Sequence, residues 1–171
     1  LEAIYAREFY ASFTATHGSI DGLDGWYEEG SVLELRAPRE VVWGNGTKAV
    51  FVSWDGVNST EPSTKTIVRG PLKATAMYRL QYYLEILSQQ PVSHASGWYD
   101  KGSTLALDAG PSIRPAGEGI RYRFGGWPGI GEEERIEITV DAPKTIKASW
   151  LREYLISFEN PVERSDAWVA E

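Results

Sequence analysis

The chain has no cysteine, which removes disulfides, thiolate metal sites and cysteine nucleophiles together. Histidine is almost absent: His17 and His94 are the only two, so a His-rich metal centre is excluded. Asparagine and glutamine occur three times each and methionine once. That scarcity of thermolabile side chains runs in the direction seen in hyperthermophile proteins. Positive charge is in the minority, with 17 Lys and Arg against 24 Asp and Glu and a formal charge of −7. The Lys and Arg are scattered, so binding of nucleic acid through its phosphates is not expected. No apolar run approaches the ~20 residues of a membrane span. The first residue is Leu1, as expected of a processed or excised chain. What is abundant is aromatic surface: 12% of residues, including seven Trp and nine Tyr. The composition favours an acidic globular protein without a cofactor.

An internal repeat organises the chain. Gly25-Trp26-Tyr27-Glu28-Glu29-Gly30-Ser31 returns 72 residues on as Gly97-Trp98-Tyr99-Asp100-Lys101-Gly102-Ser103. Phe51 and Trp54 return as Phe124 and Trp127, and Val68-Arg69-Gly70-Pro71 as Val140-Asp141-Ala142-Pro143. Ala76-Met77-Tyr78 matches Ala148-Ser149-Trp150. One order at nearly one spacing is the mark of duplication. The ends fit the same frame. Leu1 to Phe13 aligns with Ile146 to Phe158, and Pro161 to Trp168 with Pro91 to Trp98. The expected layout is therefore a closing or donor strand over 1–8, one repeat over 9–81, a second over 82–153, and the start of a third over 154–171. Either the chain is part of a longer array, or its terminal strands complete a neighbour's sheet.

Period-2 alternation dominates, and no long helix is expected. Ile136, Ile138 and Val140 alternate with Glu137 and Thr139; Ile146, Ala148 and Trp150 alternate with Lys147 and Ser149. Strands are predicted at Phe9–Thr14, Val32–Leu35, Ala49–Trp54, Thr66–Val68 and Leu72–Leu80. The second repeat gives Tyr82–Leu87, Thr104–Leu107, Ile120–Phe124, Arg135–Val140 and Thr145–Trp150. Ala74–Leu87 contains no Gly or Pro, so one repeat's last strand should run almost directly into the next repeat's first. A string of such units would be an extended rod. The fold class expected is all-β, as two tandem sandwich-like or β-grasp-like repeats. Units of ~72 residues without disulfide or metal need large aromatics for burial. Trp26, Phe51, Trp54, Tyr78, Trp98, Phe124, Trp127 and Trp150 are the expected core.

The Gly-Trp-Tyr-x-x-Gly-Ser station, the aromatic-x-x-Trp station and the closing strand ending in Tyr or Trp resemble the divergent B-repeat of internalin-type surface proteins, the Listeria–Bacteroides repeat group. The likeness covers nearly the whole chain. Repeat one departs from it at Val52-Ser53 and carries extra residues around Trp43–Gly46 and Asn58–Ser63. The resemblance implies extracellular display and a spacer or interaction role, and it implies no catalytic residue.

Few residues fall in a pattern that carries chemistry. No nucleophile elbow exists, and His17 and His94 are not equivalent positions, so both read as loop histidines. Asp21-Gly22-Leu23-Asp24-Gly25 falls short of a calcium-loop frame, and plain turn chemistry explains it. Glu132-Glu133-Glu134 reads as a solvated tip. Asn45-Gly46-Thr47 and Asn58-Ser59-Thr60 are glycosylation sequons in predicted loops. Asn160, the remaining Asn, is a poor candidate for an isopeptide crosslink. Trp43 is the best loop residue for stacking on a sugar.

The functional expectation is a non-enzymatic spacer of a cell-surface, surface-layer or filament protein, assembled through strand edges with copies of itself or neighbouring repeats. The rival is a carbohydrate-binding module that contacts cell-surface glycans. Leu1, Ile4, Tyr5, Phe9, Tyr10, Phe13, Tyr154, Ile156 and Phe158 are the expected assembly residues, because an unpaired edge seeks a partner. Deleting Leu1–Glu8 should therefore lower the melting temperature of the first repeat or abolish assembly. Unchanged melting together with unchanged sedimentation would refute it.

Overall fold

The computed structural model describes residues 5–20, 24–159 and 164–171, and among these it is all-β. The chain divides into two compact units, Leu1–Gln81 and Tyr82–Glu171. The first contains β1 (Glu8–Ala15), β2 (Gly25–Glu28), β3 (Val32–Arg36), β4 (Glu40–Trp43), β5 (Thr47–Asp55) and β6 (Ser63–Ile67). Strand β7 (Leu72–Ser88) begins in the first unit and ends in the second. The second unit continues with β8 (Gly97–Asp100), β9 (Thr104–Asp108), β10 (Ile113–Gly117), β11 (Ile120–Phe124), β12 (Arg135–Thr139), β13 (Lys144–Ala148), β14 (Trp150–Glu159) and β15 (Arg164–Ala170).

In the first unit the main sheet runs β2-β1-β7-β5-β4. β1 pairs antiparallel with β2, setting Phe9 opposite Tyr27 and Tyr10 opposite Trp26. Its later half pairs parallel with β7, from Ala11↔Leu72 to Ala15↔Ala76. A separate antiparallel ladder joins β3 to β6 and contributes Leu35 to the interior. Alternation explains the burial: Ala11 and Phe13 point inward while Tyr10, Ser12 and Thr14 point the other way. Phe13 lies opposite Ala74, so a large side chain meets a small one across the parallel pair. The core gathers Ala11, Phe13, Leu35, Ala49, Trp54, Ala74, Ala76 and Tyr78.

The second unit shows corresponding pairings. β8 pairs with β7, β13 lies parallel to β7 with Leu84 opposite Lys144, and β9 and β12 form an antiparallel ladder. β10, β11, β14 and β15 form a four-stranded sheet in that order. Its core is Leu84, Leu107, Phe124, Trp127, Ile138, Val140, Ile146 and Trp150, together with the small residues Ala109 and Ala148.

An aromatic triad sits at the centre of each core. Phe51 meets Trp54 and Tyr78 edge-to-face at 5.9 and 5.7 Å; Phe124 meets Trp127 and Trp150 at 5.7 and 5.2 Å. Each central indole also fastens a loop. Trp54 Nε1 donates to the Glu61 carbonyl and Trp127 Nε1 to the Glu133 carbonyl, both at 3.1 Å. The Gly-Trp-Tyr-x-x-Gly-Ser station is a strand followed by a tight turn. Gly30 and Gly102 adopt φ of 89° and 82°, and each donates its N–H at 2.7 Å to a buried valine, Val68 or Val140. A side chain at either position would be strained.

Two expectations about the core are corrected. Trp26 is 67% exposed, and Trp98 lies outside the second core cluster. In both stations it is the following tyrosine, Tyr27 or Tyr99, that packs against the interior. The four-residue strands β2 and β8 alternate faces, so consecutive Trp and Tyr cannot both point inward. Trp43 is also re-placed: it ends β4, opposite Thr47, rather than lying in a loop. Two strands expected at Leu72–Leu80 and Tyr82–Leu87 are one strand, β7. The four- and five-residue strands β2, β4, β8 and β10 and the seven-residue β15 have no counterpart among the strands expected from sequence.

Truncating Trp127, 1% exposed and bonded to its loop, should cost about 3–5 kcal/mol. Truncating Trp26 should cost about 1 kcal/mol or less, the scale of one aromatic pair. Urea denaturation of W127A and W26A measures both; equal losses would contradict the burial pattern.

Candidate functional site

Of the polar residues singled out from sequence, most have structural employment. His94 Nδ1 lies 2.9 Å from the Ser93 hydroxyl and its ring packs on Tyr99, while His17 packs edge-on against Trp43 at 6.0 Å. The Asp24 carboxylate accepts the Phe13 N–H at 2.8 Å, and Asp21 lies outside the described residues. Among the described residues no group of three or more His, Asp or Glu is placed to hold a metal ion. The side chains of Glu132, Glu133 and Glu134 are exposed, while the backbone carbonyls of the last two receive Trp127 Nε1 and the Ala109 N–H. Asn45 and Asn58 are both exposed in turns, and Asn160 lies outside the described residues.

The expected assembly residues are dispersed. Leu1 and Ile4 lie outside the described residues, and Tyr5 is 91% exposed. Phe9 and Tyr10 of β1 pair with β2 alone, while Phe13 of the same strand pairs with β7, whose ladder begins at Ala11. Phe13 is interior. Tyr154, Ile156 and Phe158 lie on β14 and pair with Val169, Ala167 and Ser165 of β15. The remaining flank of β14 is only partly occupied. β11 covers Trp150 to Tyr154, and the Leu155 N–H reaches the Gly119 carbonyl at 2.9 Å. From Ile156 to Glu159 no strand lies on that flank among the described residues. Ile156 and Phe158 are 40% and 58% exposed, and Val169 on β15 is exposed beside them.

A second feature escaped the sequence reading. Each opening hairpin carries a tryptophan on the side away from the core. Trp26 packs edge-on against Tyr10 at 5.6 Å and Trp98 against Tyr83 at 5.4 Å. On the β14–β15 hairpin, Trp168 lies under the Arg121 guanidinium at 4.0 Å. The signal available was parity: placing Tyr27 inward forces Trp26 outward.

No protein-family model matches the chain, and no curated protein matches it either, so membership of the internalin-type B-repeat family is not shown. A solved structure of streptococcal high-identity repeats in tandem (SHIRT), domains 3–4 from a cell surface protein, shares 13% identity. The match covers 83% of this chain and 96% of that one, with a TM-score of 0.25.

Electrostatics concentrate at the root of the β14–β15 hairpin. Glu153, the one buried charged residue among those described, accepts Arg123 Nε on one oxygen and Arg121 Nε on the other, each at 2.6 Å. Hydrogen bonds from Arg123 and then Arg121 hold its carboxyl below the ordinary value of 4.5. A carboxylate depressed in the folded state stabilises the protein above its unfolded value and loses that contribution as pH falls through the folded one. Glu153→Gln should therefore lower the melting temperature at neutral pH, and the gap from wild type should close below pH 4.5. A gap that fails to narrow as the pH falls below 4.5, or widens, would overturn this assignment.

Proposed function

We propose that the chain is a non-catalytic structural module: two copies of one β repeat, forming part of an extracellular or cell-surface protein such as a surface layer or filament. It is joined to neighbouring repeats, or to copies of itself, through strand edges. The single observation that carries this reading is β7. Its residues Leu72–Ala76 close the first unit against β1, and Leu84–Ser88 of the same strand open the second against β13. A strand with two such uses joins units without a linker, which is what a string of repeats requires. The matching pairings and aromatic triads support the repeat. The side chains that might have served chemistry are engaged in loops and packing, which favours a mechanical role. The exposed sequon asparagines, Asn45 and Asn58, fit a secreted glycoprotein.

One observation favours the carbohydrate-binding alternative. Trp26 is exposed and its ring is held by Tyr10, with Glu28 on the same strand face and the exposed hydroxyl of Thr14 on that face of β1. That pair is a better sugar platform than Trp43, which is packed against His17.

Two measurements test the reading. Antibodies raised to the chain should label intact source cells; labelling only after permeabilisation would refute surface display. A glycan array should be blank for a spacer. Binding that falls at least tenfold in W26A would establish the sugar reading instead.

A further inference from the structure

The open flank of β14 has two counterparts inside the same chain, and what covers those is visible. With the units taken as copies of one repeat, as proposed above, their opening hairpins align. Tyr10 lies opposite Trp26, Tyr83 packs on Trp98, and Leu155 lies opposite Trp168. The residues that follow are therefore equivalent: Ala11, Leu84 and Ile156, and two further on Phe13, Ile86 and Phe158. Ala11 and Leu84 are fully buried and Phe13 nearly so, because a parallel strand lies beside them. Ala11 faces Leu72 and Phe13 faces Ala74; Leu84 faces Lys144 and Ile86 faces Ile146. Ile156 and Phe158 have no such neighbour among the described residues and remain exposed. Val169 occupies the place of Tyr27 and Tyr99, which pack on the two cores, and it too is exposed.

We propose that the flank of β14 from Ile156 to Glu159 is an acceptor for one further β-strand, added in parallel, and that its occupant is the closing strand of a further copy of this repeat. A strand is required because the flank presents peptide groups that no strand pairs with among the described residues, and another backbone satisfies them. Parallel addition follows from both precedents. Residue size sets the preference. Phe13 is accommodated by Ala74, whereas the smaller Ile86 faces Ile146. Phe158 is as large as Phe13, so the occupant should carry a small residue opposite it, as in the Leu72–Tyr78 sequence, and not the isoleucine of Lys144–Trp150.

The test uses the full chain and a synthetic peptide of residues Leu72–Tyr78. Amide exchange and two-dimensional NMR should show saturable protection at Ile156 to Glu159. F158D, which replaces an exposed side chain and should leave the melting temperature unchanged, should weaken binding at least tenfold. The peptide carrying Ala74→Ile should bind about tenfold more weakly than the native one, the scale of a single overpacked contact. Absence of protection, equal binding by F158D, or equal binding of a scrambled peptide would overturn the acceptor. So would a chain that dimerises through β14 and excludes the peptide. Peptide binding with no labelling of intact cells would remove the surface role and keep the acceptor. Labelling without peptide binding would do the reverse.

Discussion

Each unit depends on one tryptophan that is both filler and fastener. Trp54 and Trp127 bury their rings against a phenylalanine three residues earlier, and their ring nitrogens bind the carbonyl of a returning loop. A buried indole N–H without an acceptor would be costly, so the loop that supplies the carbonyl is fixed by the core it encloses. The third ring of each triad comes from the closing strand, Tyr78 or Trp150, and it too is anchored by its polar end. The Tyr78 hydroxyl donates to the Pro38 carbonyl at 2.7 Å and Trp150 Nε1 to the Ser88 hydroxyl at 3.1 Å. A small domain without disulfides thus gains specificity from the polar ends of its aromatic side chains.

The rest of each unit is arranged around that centre. The turn at Gly30 or Gly102 hydrogen-bonds a buried valine at the end of the two-stranded ladder, so the ladder is tied to the opening hairpin. The hairpin in turn places a tyrosine against the core and a tryptophan on the other side. Position by position, the repeated sequence station encodes a strand, a glycine turn and a fixed inside–outside order.

Legibility in the sequence followed the physics of each segment. Strands such as β11, β12 and β13 were readable because alternation of apolar and charged residues has only one good solution. β2 and β8 were not, because four residues bounded by glycines look like a turn, and because tryptophan is the larger apolar residue of the Trp-Tyr pair. β10 is masked by Pro115 and Gly117, and β15 by Arg164 and Asp166. Phe124 and Trp150 lie on alternating strands that fix their inward face, whereas Trp26 shares a four-residue strand with Tyr27 and size alone does not say which of the two turns inward. Parallel pairing has no local signature at all: its partners are far apart in the chain, and only the fold brings them together. The arginine pair around Glu153 was hidden for the same reason, since Arg121 and Arg123 reach it from another strand.

That separation has a kinetic consequence. The Thr14 and Thr75 hydroxyls that meet across β1 and β7 are 61 residues apart, and Glu85 and Thr145 across β7 and β13 are 60 apart. Closing such loops is entropically expensive and slows folding. During synthesis a unit can form its opening hairpin early, but its core is incomplete until the closing strand emerges. In the first unit that closing strand continues directly, as β7, into the opening strand of the second. Completion of the first unit therefore delivers the first element of the second, and maturation should advance from the N-terminal unit to the C-terminal one, with the unfinished edge of the growing unit exposed to aggregation.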